Sequence, residues 1–228
     1  MNPGEQQSPG QSHPAPVDMF SQSFWDTRYG SVDRVWSGQP NVHLVRHVSG
    51  LRPGTALDVG CGEGADSIWL ARRDWHVTAV DVSVVALGRV ASNAQQAGVA
   101  DRVTFEHADL RTWDPSGRRF DLVSAQYMHL PRPQLQVLFT SLARAVAPGG
   151  TLLVVGHHPD DPHIRARNDP PDMYLTAEDL QTSLEPRLWE RVHAGSPERE
   201  VSEGTGGGTR TARDAVLLAV RQTTAKDT

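Results

Sequence analysis

The stretch Thr55-Ala56-Leu57-Asp58-Val59-Gly60-Cys61-Gly62-Glu63-Gly64-Ala65 decides how the rest of the chain is read. A short, mostly apolar run leads into glycines at every second position. The run has the character of a buried strand. The glycines let the backbone turn sharply and approach a ligand with no Cβ in the way. A helix is expected from Ala65 to Arg73. His76–Val80 then reads as a second strand, ending at Asp81, 17 residues after Gly64. An acid at that point is suited to accept hydrogen bonds from both ribose hydroxyls of a nucleoside lying on the turn.

Outward from this unit, strands and helices alternate. Ser83 is suited to cap a helix carrying Leu87, Val90, Ala91 and Ala94 on one face, closed by Gly98. Val103–Glu106 and Phe120–Ala125 read as strands three and four. Leu135, Leu138, Phe139, Leu142, Ala143 and Val146 form a helical stripe stopped by Pro148-Gly149-Gly150. Thr151–Val155 is the fifth strand. Such alternation implies βαβ crossovers and a parallel sheet covered on both faces. The last third departs from it. A helix from Thr176 to Leu184, with Thr176 and Asp179 in capping-box spacing, precedes strands at Leu188–His193 and Ala215–Arg221. Only a glycine-rich loop from Gly204 to Thr209 separates those two strands, so they should pair antiparallel. The expected fold is α/β: a Rossmann-like, doubly wound, seven-stranded sheet, mostly parallel, finished by an antiparallel hairpin.

The 228 residues suit one such domain, with 38% hydrophobic and 21% charged residues. Residues 1–17, rich in Pro, Gly, Gln and Ser, read as a disordered tail, and 222–228 as a disordered end. The domain is expected over 18–221, with an N-terminal lid at about 18–50. One cysteine excludes a disulfide framework. With no apolar run of membrane-spanning length and no secretory signal, the expected compartment is the reducing cytoplasm. A net charge of −5 with scattered Lys and Arg argues against a nucleic-acid partner, and no membrane partner is expected.

Gly60-x-Gly62-x-x-Ala65 also satisfies a dinucleotide fingerprint, which would suit an NAD-dependent oxidoreductase. Asp58, where that fold usually has an apolar residue, and the terminal hairpin argue against it. The combination resembles the class I S-adenosylmethionine-dependent methyltransferases. Asp58, Gly60, Gly62 and Gly64 match their D-x-G-x-G-x-G motif. Asp81 matches the acid ending strand two. Ala108-Asp109-Leu110 matches the element whose acid meets the adenine amino group, and Phe120-Asp121-Leu122-Val123 matches strand four. The resemblance implies S-adenosylmethionine as cofactor, contacted by Asp58, Gly60, Cys61, Gly62, Gly64, Asp81, Val82, Asp109, Leu110 and Gln126. The segments Phe24–Tyr29 and Val35–Asn41 are similar to the lid of the thiopurine and tellurite-resistance methyltransferases. That likeness implies that Arg28 meets the methionine carboxylate and Trp36 covers the methionyl end. Trp25, Tyr29 and Trp36 equally suit simple packing of a lid helix.

Methyl transfer is an in-line displacement whose main requirement is alignment. Ligands sit at the carboxyl edge of such sheets, where strands four and five present Gln126, Tyr127, His129, His157 and His158. Tyr127, His129 and His158 are the candidates for a base or a pocket wall. His157-His158-Pro159-Asp160-Asp161-Pro162-His163 has metal-ligand types, but its two prolines and irregular spacing favour a substrate loop without metal. Cys61 reads as a packing residue. The expected acceptor is a small molecule: a thiol, heterocycle or hydroxyl. A non-catalytic S-adenosylmethionine-binding module would carry the same motifs.

Overall fold

A computed structural model describes residues 18–115, 117–167, 169, 171–202 and 208–223. The expected tail 1–17, residues 224–228 and most of the Gly204–Thr209 loop lie outside them. Gln222 is described, and its N–H donates to the Leu188 carbonyl at 2.9 Å.

The elements in chain order are α1 (Gln22–Gly30), α2 (Val42–Val48), β1 (Thr55–Val59), α3 (Ala65–Ala71), β2 (His76–Asp81) and α4 (Val84–Gln96). After them come β3 (Val103–His107), β4 (Phe120–Gln126), α5 (Arg132–Ala145), β5 (Val146–His157), α6 (Pro162–Arg165), α7 (Ala177–Gln181), β6 (Trp189–Gly195), β7 (Glu198–Ser202) and β8 (Thr209–Arg221). Seven strands lie in the order β3-β2-β1-β4-β5-β8-β6. The first five are parallel, and β8 runs antiparallel between β5 and β6. An eighth strand, β7, pairs with the leading half of β8, from Thr209 to Arg213. β7 was not foreseen, because Glu198-Arg199-Glu200-Val201-Ser202 is too polar to read as a strand in a buried sheet.

Alternate strand residues feed two cores. On β4 and β5, Val123, Leu152 and Val154 pack with Leu135, Leu138 and Leu142 of α5. Their neighbours Leu122, Leu153 and Val155 pack with Leu44 of α2, Leu70 of α3 and Val90 of α4. Helices therefore cover both faces, as continuous apolar strands require. Ser83 caps α4 by accepting from Ala86 N–H, and Thr176 with Asp179 forms the capping box of α7.

The fifth strand differs from expectation. It starts at Val146, and Pro148-Gly149-Gly150 forms a register irregularity within it, not a turn before it. Gly150 is required there. A Cβ on it would sit 2.9 Å from the Ala147 carbonyl oxygen and 3.0 Å from those of Phe120 and Asp121.

Leu122 is fully buried at the centre of the sheet. Leu122→Ala is expected to lower the unfolding free energy by about 2–5 kcal/mol through lost burial and a residual cavity. Urea unfolding followed by circular dichroism checks it.

Candidate active site

The site is built on the turn from β1 into α3. Gly60 and Cys61 both donate their N–H groups to the Val80 carbonyl, at 2.8 and 3.0 Å. Gly62 N–H donates to Asp81 Oδ2 and Ser83 N–H to Asp81 Oδ1, both at 2.9 Å. One carboxylate thus ties the β1–α3 turn to the β2–α4 turn. Asp81 is 6% exposed, and burial raises its pKa against the pull of the backbone N–H groups around it. Each of its oxygens retains capacity for another hydrogen bond.

Gly62 has φ +52°, and a Cβ on it would lie 3.0 Å from Tyr29 Oη and 3.3 Å from Trp36 Nε1. Gly64 has φ +83°, and a Cβ there would strike Val90 Cγ1 at 2.6 Å. The first glycine leaves a cradle under the lid, and the second lets α3 close on α4. Asp58 lies behind the turn, where Ser67 Oγ donates to it at 2.5 Å. Burial, with the nearby charge of Asp66, pushes the Asp58 carboxyl up to about 7. Burial also pushes the Cys61 thiol well up, so it stays protonated and packs with the α3–α4 core.

The N-terminal segment expected to form a lid is fastened by carboxylates. Glu63 accepts from Trp36 N–H at 2.9 Å and from Val35 N–H at 3.2 Å, and pairs with Arg89 at 2.5 Å. Arg89 also donates to the Tyr29 and Val32 carbonyls. Asp26 accepts from Ser83 Oγ at 2.6 Å, and Asp66 from Asn41 N–H at 2.6 Å. Tyr29 is buried, and its hydroxyl accepts from Trp36 Nε1 at 2.9 Å. The Arg28 guanidinium stacks on Trp25 at 5.7 Å and Trp36 at 5.4 Å, and Trp36 stays 46% exposed. Glu63 and Arg89 were missed in the sequence. Glu63 stands inside the motif, at a position that carries no spacing signal.

The remaining expected contacts fall unevenly. Leu110 and Met128 face Gly60, within 4.0 and 3.7 Å of where its Cβ would be. The Val82 carbonyl accepts from His107 Nε2 at 3.0 Å. Asp109 is engaged by Arg111, which donates to both its oxygens and links it to Asp18 of the lid. Gln126 donates to Ser124 Oγ, while its Oε1 is buried with no partner among the described residues.

At the end of β4 the chain makes a forced step. Tyr127 has φ +49°, rare and strained for a residue with a side chain. Its N–H is held by the Val155 carbonyl at 2.7 Å and its hydroxyl by Asp214 Oδ2 at 3.0 Å. Asp214, fully buried on β8, also pairs with Arg199 of β7 at 2.5 Å and His43 of α2 at 2.9 Å. Burial works to raise its pKa, but these hydrogen bonds outweigh it and hold the carboxylate low. An acid directly before the apolar run Ala215–Val220 was the available signal for Asp214.

Met128 and His129 follow Tyr127 and line a cavity with His157, Met173 and Tyr174. The His129 and His157 rings stack 5.6 Å apart, and His157 lies against Tyr127 at 4.6 Å. Burial drives both imidazoles down, His129 to about 3 and His157 to about 4. His158 is not among the cavity-lining residues. It is buried in a turn where its Nδ1 accepts from Asp160 N–H at 3.1 Å. Asp161 accepts from the N–H groups of His163, Ile164 and Arg213.

Residues 56–150 match a family described as a methyltransferase domain. Over that central part the chain is similar to methyltransferases. The chain is 28% identical to the 27-O-demethylrifamycin SV methyltransferase of Amycolatopsis mediterranei, over 63% of this chain and 56% of the relative. It is 30% identical to the 2-heptyl-1-hydroxyquinolin-4(1H)-one methyltransferase of Mycobacteroides abscessus, over 53% of this chain and 54% of the relative. It spans about half the length or less of the curated relatives it matches first. Its fold is similar to that of TehB from Haemophilus influenzae, at a TM-score of 0.62 and 17% identity over 88% of this chain and 66% of that one.

With its carboxyl pushed up to about 7 in the folded chain, Asp58 is expected to keep its proton in the acid-to-neutral range where the unfolded chain has lost it. Raising the pH through that window therefore lowers stability through this group. Asp58→Asn has no proton to lose there. Its stability relative to the natural chain is expected to rise from pH 4.5 to pH 7.5, as urea unfolding at both values checks. Asp214→Asn is expected to cost about 3–5 kcal/mol in the same assay, because it strips the counter-charge from Arg199.

Proposed function

We propose that the chain transfers a methyl group from S-adenosylmethionine to a small-molecule acceptor. The observation that carries this reading is the cradle at Gly62, set beside the buried Asp81 carboxylate and under Tyr29 and Trp36. Asp81 has acceptor capacity left for ribose hydroxyls, and the unpartnered Gln126 Oε1 suits a hydrogen-bond donor at the same edge. Leu110 and Met128 offer apolar contact beside Gly60. Arg28 is the residue for a carboxylate, since it makes no ion pair among the described residues. Asp109 is committed to Arg111 and is left out of the direct ligands.

S-adenosylmethionine supplies a methyl group already activated on sulfur. The protein is left to bind, align and exclude water, and alignment alone can contribute roughly 7–11 kcal/mol. The lid serves exclusion: Glu63 and Asp26 clamp it to the turn and to α4. On the acceptor side, His129 Nε2 is free to take a hydrogen bond. Two relatives whose named substrates are small molecules support a small-molecule acceptor. Among the described residues no helix is long and apolar enough to cross a membrane.

Calorimetric titration with S-adenosylmethionine, S-adenosylhomocysteine and NADH tests the reading. Binding of the two adenosyl ligands and not NADH is expected, and binding of NADH alone would overturn it. Asp81→Ala should weaken S-adenosylhomocysteine binding by about 1–3 kcal/mol, roughly 5- to 150-fold, through lost charge-assisted hydrogen bonds. Unchanged affinity would remove Asp81 from the site.

A further inference from the structure

We infer that the cavity behind Met128 is the acceptor pocket, and that it takes an uncharged aromatic ring bearing one hydrogen-bond donor, seated on His129. The inference rests on the methyltransferase reading only for the claim that what binds there is methylated.

Position comes first. Met128 touches both sides: it faces the Gly60 turn and lines the cavity. A group bound in the cavity is therefore one side chain away from the cofactor cradle. The floor is apolar, from Ala125, Val154, Phe139 and Leu180. The walls are rings, with His129 and His157 near-parallel at 13° and Tyr174 edge-on to His129 at 5.2 Å. Flat aromatic faces of this kind favour a flat ligand.

Charge comes second. Among the described residues the lining holds no Lys, Arg, Asp or Glu. Its imidazoles are uncharged near neutral pH, because burial holds both far below that range. Arg167 and Asp169 lie beside the lining and not in it, with opposite charges, and Asp169 is taken by the Tyr174 hydroxyl at 2.6 Å, so an ionised acceptor would lose its hydration without a counter-charge in direct contact. The pocket thus disfavours chalcogen oxyanions and carboxylates, and it admits thiols and hydroxyls only in their protonated forms.

The third element is the hydrogen bond. His129 Nε2 is buried and lacks a partner among the described residues. A ligand that donates to it satisfies a group that is costly to leave unpaired, and an analogue without the donor is penalised. The same atom suits the proton balance. As the acceptor's heteroatom forms its bond to the methyl carbon, the sulfur–methyl bond breaks and its electron pair returns to sulfur. The heteroatom's proton then becomes strongly acidic and passes to His129 Nε2. So weak a base takes the proton late, once the new bond has formed.

Size comes last. The cavity encloses about 20 Å³, room for one water. Met128 and Met173 flank it, and their unbranched thioethers are the part of the lining that yields most easily. A ring enters by displacing them.

The test is binding, without cofactor, of 1-naphthol, naphthalene and 1-naphthalenesulfonate. It is followed by calorimetry and by NMR of methyl-labelled methionine, of which the chain has four. At least tenfold tighter binding of 1-naphthol than of either other probe is expected, with shifts confined to Met128 and Met173. His129→Phe keeps the ring and should abolish the preference over naphthalene, while His129→Gln should restore part of it. Equal or tighter binding of the sulfonate, no preference for 1-naphthol, shifts elsewhere, or binding of none would overturn the inference. The preferences of the natural chain decide it even if a variant fails to fold. S-adenosylhomocysteine is titrated in parallel. Its failure alone would sink the methyltransferase reading and leave the pocket, and failure of the naphthol preference alone would do the reverse.

Discussion

The hydrogen bonds that Asp81 accepts from Gly62 and Ser83 are the constraint on which the carboxyl edge of the sheet depends. Neither turn has a stable shape alone. The first is mostly glycine, and the second must present an N-cap to α4. A buried carboxylate between them fixes both, and it fixes its own position in doing so. Ser83 then caps α4 and donates to Asp26, so the lid inherits its placement from the same carboxylate. Glu63 and Arg89 repeat the device from the other side of the turn. The glycine turn and the N-terminal segment over it are thus one hydrogen-bonded unit.

Much of this was legible in the sequence because it follows from local rules. The glycine spacing, the acid ending β2, the Ser83 cap and the Thr176–Asp179 box each need only residues a few positions apart. The antiparallel end of the sheet was legible too, since two strands without a helix between them have no other way to pair. What escaped was set by which side chains pair, near and far. Asp109 was read from its motif; its pairing with Arg111, which is itself paired with Asp18, was not. His158 was read from its place after a strand, yet a turn hydrogen bond two residues on claims its Nδ1. Asp214 collects His43, Tyr127 and Arg199 from three separate elements, and no window of sequence holds them together.

The proposed acceptor side owes its shape to strain that is contained. Tyr127 takes a left-handed backbone because Val155 grips its N–H and Asp214 its hydroxyl. That step turns Met128 under the glycine turn and His129 into the cavity. The cost, of order 1–3 kcal/mol, is offset by a buried network that spans α2, β4, β7 and β8. Pocket geometry and global stability are therefore coupled through Asp214.

The insertion of β8 between β5 and β6 has a consequence for biogenesis. During synthesis β5 emerges with one edge unpaired, and residues up to Arg221 must be made before that edge is covered. The uncovered segment Leu152–Val155 is apolar and β-prone, the kind of edge that recruits other strands. The nascent chain thus carries its most adhesive surface for the whole interval in which α6, α7, β6 and β7 are translated.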